Sequence, residues 1–204
     1  MKLRIYFGPT IIALILAANV RGDLYSTFQT KRFYSANRRH FVEVTEKKRA
    51  TLYRNGRRIQ KAWTRLLREI PARVLLTEDG SRVAMVDFYY GNNHEPNAPV
   101  VLILGEGGNE VARYALKNVA DLSRITATTS TSYWFQDVKL IQHEHLLVIE
   151  TIVAKHDRSK CRNVKAPAEA ETMAELCMAT TPFEKLSFDL ATGKLSSREN
   201  LASR

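Results

Sequence analysis

The chain has 204 residues, of which 45% are apolar and 25% charged, and its formal net charge is +10. That length supports one well-buried core and is short for two, and the composition excludes wholesale disorder. Low-complexity tracts and fixed-period repeats are not visible in it.

Lys2 and Arg4 precede an uncharged apolar run from Ile11 to Ala18, and the small residues and Val20/Gly22 come next. This basic, apolar, small-residue order is that of a secretory signal peptide cut before Asp23, so residues 1–22 are expected to lie outside the fold. An uncleaved anchor is the alternative, but a spanning helix needs about 20 apolar residues. The run falls short of that and, extended back to Ile5, contains Gly8-Pro9. The expected address is extracytoplasmic, either periplasmic or secreted. Residues 23–39 are polar, aromatic and basic without periodicity and read as a leader, which leaves residues 40–204 as a single β-rich domain.

From His40 the turn signals become regular. Phe41-Val42-Glu43-Val44 alternates as a half-buried strand should, and Asn55-Gly56 after Thr51-Leu52-Tyr53-Arg54 is a strong hairpin signal. Residues 57–70 are ambiguous. Ile59, Trp63, Leu66, Leu67 and Ile70 fit helical spacing, yet Arg57 and Arg58 at the start and Glu69 at the end oppose a helix dipole. The Asn-Gly turn asks instead for a returning strand. Residues 73–77 and 82–90 form a hairpin around Asp79-Gly80, and after the polar loop 91–99 comes the buried strand Val100 to Leu104. Glu110 to Tyr114 returns, and Leu116 to Ile125 has room for a short helical turn. Tyr133-Trp134-Phe135, 138–142 and 146–154 read as three further strands. Pro167 to Met178 reads as a helix, with Glu169 and Glu171 in its first turn and Met173, Leu176 and Cys177 on one face. Phe183 to Leu190, a turn at 191–193, and Lys194-Leu195 close the pattern.

About ten short strands with one helix near the C-terminal third predict a mainly β fold: an antiparallel meander, a sandwich or a partial propeller-like array. The two cysteines, Cys161 and Cys177, would both enter an oxidising compartment, where pairing them closes a loop of about 16 residues worth roughly 3 kcal/mol. A structural disulfide is the expectation, because two thiols at that spacing make a poor zinc site.

Thr77-Glu78-Asp79-Gly80-Ser81-Arg82-Val83-Ala84 resembles the "S-x-DG-x-x-VA" turn of propeller-type blades, with Thr77 in place of Ser. Tyr53-Arg54-Asn55-Gly56 through Trp63, the loop ending Pro96-Asn97-Ala98-Pro99, Val100 to Tyr114, and Asp189-Leu190-Ala191-Thr192-Gly193-Lys194 occur in the order seen in a group of exported bacterial proteins. That resemblance, over roughly Thr51 to Leu195, implies a blade-like β-meander and no particular activity. The length is short for a closed propeller of four or more blades of about 40 residues plus extra segments, so a sandwich or partial ring is expected.

Gly105-Glu106-Gly107-Gly108-Asn109-Glu110 invites comparison with a dinucleotide loop, but Glu110 stands where the third glycine belongs and would repel a phosphate. A hairpin turn is expected there. His143 and His145, with His156 further on, are the candidate metal ligands. On a continuous strand the first two would share a face, but between the apolar runs 138–142 and 146–154 a polar turn is expected, where that geometry fails. No GxSxG motif occurs and no cofactor is expected.

Charge is the most informative feature. Residues 31–73 hold fourteen Lys and Arg against Glu43, Glu46 and Glu69, a net charge of +11, whereas residues 74–204 carry a net charge of −3. Lys47, Lys48, Arg49, Arg54, Arg57 and Arg58 are the candidate anion-binding residues, suited to an anionic envelope polymer or membrane surface. The alternative is a solvated basic face. A protein partner is also open, and without an RNP-type signature no specific nucleic-acid binding is expected. The sequence thus favours a non-catalytic binding domain, with a metal-dependent enzyme using His143 and His145 as the alternative.

Overall fold

A computed structural model describes residues 29–89, 95–124, 126–127, 132–156 and 178–201. The first sheet is an antiparallel meander of β1 (Lys31–Tyr34), β2 (His40–Val44), β3 (Arg49–Arg54) and β4 (Gln60–Leu66). The second repeats it with β5 (Ile70–Leu76), β6 (Val83–Tyr89), β7 (Pro99–Leu104) and β8 (Glu110–Ala115). A short helix α1 (Leu116–Val119) and a small pair, β9 (Thr126–Ala127) with β10 (Ser132–Tyr133), lead to the third. There β11 (Phe135–Ile141), β12 (Leu146–His156), β13 (Met178–Asp189) and β14 (Leu195–Asn200) lie in sequence order.

One local device recurs at the hairpins. Arg38, Lys48, Gly80, Gly108 and His145 each donate the backbone N–H to the carbonyl three residues back, on Ser35, Thr45, Thr77, Gly105 and Gln142. All five have positive φ, from 52° at His145 to 79° at Gly108. A tight turn closed by a left-handed residue matches the twist of flanking strands. In the first two sheets even the side chains repeat. Ser35 Oγ and Thr77 Oγ1 accept the N–H of His40 and Arg82, and Asn37 Oδ1 and Asp79 Oδ1 accept those of Arg39 and Ser81.

The sheets stack face to face. Val42, Val44, Leu52 and Trp63 of the first meet Val74, Val83, Met85, Leu102 and Leu104 of the second in one core. Ala84, Val86, Val101 and Ile103, which alternate with those residues, turn to the opposite side and meet Leu147, Ile149, Leu186 and Phe188 of the third sheet. Burial on both sides explains why Val100 to Leu104 reads as a continuous apolar run rather than an alternating one. Among the described residues no buried cluster joins the first sheet to the third. The architecture is an open array of three blade-like sheets, mainly β as expected.

Two expectations need amendment. The sheet structure begins at Lys31, inside the segment read as a leader, because Arg32, Phe33 and Tyr34 pair with Glu43, Val42 and Phe41. Tyr133-Trp134-Phe135 is not one strand: Trp134 separates β10 from β11 and buries its ring in the second core at 1% exposure. In the ambiguous stretch 57–70, Gln60–Leu66 forms β4 and Ile70 opens β5, which is the returning strand that the Asn-Gly turn asked for. The helix expected over Pro167 to Met178 falls outside the described residues except Met178, which opens β13. The signal segment 1–22, Cys161 and Cys177 also lie outside them.

Candidate functional site

The Asp79-Gly80 turn ties the three sheets together at one end. The Glu78 carbonyl accepts hydrogen bonds from Asn37 Nδ2 at 3.1 Å and His40 Nδ1 at 3.0 Å. A carbonyl only accepts, so His40 carries its proton on Nδ1. The Glu78 N–H donates to Gln142 Oε1 at 3.1 Å, and Arg82 Nε donates to the Leu190 carbonyl at 2.9 Å. The turn at 55–59 joins the same end, since Asn55 donates its N–H to the Arg39 carbonyl and its Nδ2–H to that of Arg38.

These turns bound two adjoining clefts. One, of about 580 Å³, has His40, Arg54 and Trp63 on one wall and Asp79 and Glu106 on the other. The second, of about 620 Å³, lies among Asn37, Arg39, Arg54, Asn55, Glu78 and Asp79. The walls are of opposite charge. Burial pushes the Asp79 carboxyl up, but hydrogen bonds from Thr77 and from the Ser81 amide and hydroxyl outweigh it and hold the pKa at about 2. Asp79 is therefore a carboxylate at any physiological pH.

The candidate anion-binding residues divide in space. Arg54 borders both clefts, and Arg57 and Arg58 belong to the adjoining turn, beside Arg38 and Arg39. Lys47, Lys48 and Arg49 lie at the opposite end of β3, which at ~3.3 Å per residue is ~17 Å away. The basic stretch of the sequence is thus two groups, not one patch. Arg38, Arg39 and Lys61 complete the turn-end group.

His143 and His145 occupy the β11–β12 turn. His143 Nε2 lies 3.1 Å from its neighbour Glu144 and the side chain is 80% exposed, while His145 sits in the left-handed region with φ 52°. The two imidazoles stand on a turn, not on one face of a strand. Among the described residues no group of three His, Cys, Asp or Glu side chains is arranged to hold a metal ion. The His156 side chain lies outside the described residues.

The Gly105–Glu110 segment closes the β7–β8 hairpin, and the chain leaves it as a strand rather than a helix. Glu110 accepts two hydrogen bonds from Arg113, at 3.0 and 2.8 Å, and one from Arg65 at 2.9 Å. The Arg113 bonds foremost hold its carboxyl below the ordinary range. Because Arg65 also donates to the Gly108 carbonyl at 2.8 Å, this acid fastens the first sheet to the second.

Two features escaped sequence reasoning. The first is an aromatic row on the outer face of the first sheet. Tyr34 packs on Phe41 with centroids 5.4 Å apart, and Phe41 stacks on Tyr53 at 4.9 Å. Arg32 lies over the Phe41 ring and Arg38 over that of Tyr34. Alternation in each strand is the signal, visible once β1 is recognised. The second is Asp87, whose φ is 54° inside β6. Burial foremost raises its pKa, against hydrogen bonds from Trp134 and the Phe88 amide and the charge of Arg73.

A group raised in the folded state prefers its proton there. Asp87 should therefore cost stability as pH rises from the ordinary carboxyl range through its elevated pKa. Asp87→Asn keeps an oxygen for Trp134 Nε1 and tolerates the left-handed backbone. Thermal melts from pH 4 to 8, chosen to span the ~3.9 unfolded value, should show the variant at least as stable as the parent at neutral pH and with a flatter profile. A loss at neutral pH would mean that attraction to Arg73 outweighs burial.

No family model and no curated protein matches the chain. Among solved structures it is similar to the beta-propeller domain of Myceliophteria thermophila Cps50 (Swd1), at 11% sequence identity and a TM-score of 0.41. The match covers 97% of this chain and 47% of that one, so the chain spans about half the length of the structure it matches.

Proposed function

We propose that this protein is a non-catalytic, extracytoplasmic binding domain whose arginine-rich turn end holds an anionic partner, an envelope polymer or a phospholipid surface. The carrying observation is that Arg38, Arg39, Arg54, Arg57 and Arg58 come from two hairpins fastened together through Asn55. The polar side chains around them serve the backbone. Asn37, Asp79 and Gln142 all bond main-chain groups, as does His40 Nδ1. The acidic wall of Glu78, Asp79 and Glu106 repels an anion from the cleft floor, so the partner is held along the arginine rim. The order of charge and hydropathy in residues 1–22 supports the extracytoplasmic address.

The test compares the two basic groups. Exposed charge pairs contribute roughly 0.2–1 kcal/mol each, so R54A/R57A/R58A should weaken binding to heparin or phosphatidylglycerol vesicles about tenfold. Rising salt should weaken the parent's binding too, because surface charges are screened over about 8 Å at physiological ionic strength. K47A/K48A/R49A should have a smaller effect. An equal or larger loss from that second triple, or salt-insensitive binding, would remove the assignment. Recovery of the protein from the cytosol with residues 1–22 attached would remove the address.

A further inference from the structure

The middle sheet has both faces in cores, whereas the first and third sheets have one each. The strand registers show what the two remaining faces carry. On the first sheet, Tyr34, Phe41, Tyr53 and Lys61 form one cross-strand row and Arg32, Glu43, Thr51 and Thr64 the next, with Arg49 beside Leu66. Arg32, Arg38, Arg49 and Lys61 against Glu43 leave this face with a net charge of three positive. On the third sheet, Asp137, Glu150, Lys185 and Glu199 form one row, while Lys139, Ile141, Leu146, Val148 and Asp189 share the same side. Among the described side chains, four acids against two lysines leave that face with two negative charges.

We propose that the outer face of the first sheet seats the outer face of the third sheet of a second copy, so that two chains close one ring of six sheets. Charge selects the pairing, because two first-sheet faces would repel each other and a first with a third attract. Apolar surface points the same way. Leu66 is 73% exposed and Tyr34 47%, two of the four large hydrophobic side chains standing exposed among the described residues. Ile141 and Leu146, half-buried at one end of the third sheet's outer face, provide a hydrophobic counterpart.

Geometry agrees. Closed rings of four-stranded blades take about four to eight sheets, so three cannot close alone and two sets of three can. Four strands spaced ~4.8 Å apart and ~20 Å long present about 380 Å² per face, so two junctions between four faces bury about 1,500 Å². That falls within the roughly 1,200–2,000 Å² of stable interfaces. The junction is head-to-tail, and such contacts make closed rings when the rotation closes.

The experiment measures the mass of the full chain by sedimentation or light scattering, with two variants at exposed positions. Leu66→Asp damages the first-sheet face and Asp137→Arg the third, and each should raise the dimer dissociation constant about a hundredfold by placing an unmatched charge at the junction. The parent should be a dimer and each variant a monomer of unchanged circular dichroism. Mixing the two variants should restore a dimer, because one junction then joins two undamaged faces. A parent that stays monomeric at its highest soluble concentration overturns the proposal. So does a dimer that survives either substitution, since self-pairing of the first-sheet faces would ignore Asp137→Arg.

Discussion

Replacing Phe188 with alanine is expected to lower the unfolding free energy by about 4 kcal/mol, near the middle of the range for buried aromatic truncations. The ring is fully buried between β12 and β14 and meets Tyr114 edge-on, with centroids 4.9 Å apart. Removing it leaves a cavity that rigid ladders on both sides cannot fill. The loss also spreads. The Tyr114 hydroxyl donates to the Gly193 carbonyl at 2.7 Å and accepts the Leu195 N–H at 3.0 Å, so a Tyr114 ring without its neighbour releases the β13–β14 turn. Domains are stable by about 5–15 kcal/mol, so this single change removes a large share. In a chain of this size the midpoint should fall by about 8–16 °C. Phe188→Leu, which keeps most of the volume, should cost roughly 1.5 kcal/mol or less. Denaturant titration with an unchanged slope checks both, and equal losses for the two variants would rule out the cavity account.

Gly193→Ala should cost about 3 kcal/mol, from two separable causes. The backbone there has φ 72°, which a side chain tolerates poorly. A Cβ built at Gly193 would also stand 2.5 Å from the Ala112 Cβ and 3.0 Å from Val111 Cγ1. Those atoms belong to β8 and cannot move without the strand. Adding Ala112→Gly removes the first collision and leaves the backbone strain, so the pair should recover part of the loss beyond what Ala112→Gly costs alone. A double-mutant cycle reads this directly, and simple additivity would count against the steric account.

Most of the strands were legible because their turns carry chemistry: Asn55-Gly56, Asp79-Gly80 and the Gly105 to Asn109 loop all close hairpins in the molecule. The hairpin joining β1 to β2 escaped notice for a definite reason. Its left-handed position is filled by Arg38 rather than glycine, as are those at Lys48 and His145, so the usual composition signal is missing although the geometry is the same. The basic stretch was visible as a count and invisible as a shape. Antiparallel pairing sends Arg49 and Arg54 to opposite ends of one strand, and runs of charge along a chain say nothing about that separation. The metal idea turned on whether residues 143–145 formed a strand or a turn, and the turn expected from their place between two apolar runs is what the molecule has. Asp87 carried no signal at all, since neither its left-handed backbone nor its burial is written in local sequence.

The middle sheet has a consequence for how the molecule comes apart. Its strands β5, β6 and β7 offer apolar residues to both sides, so peeling away the first or third sheet would bare one of those sets to water at once. No sheet is a separable module. Opening the middle sheet from either neighbour would be as costly as losing a whole core, and the array should hold or give way as a single cooperative body.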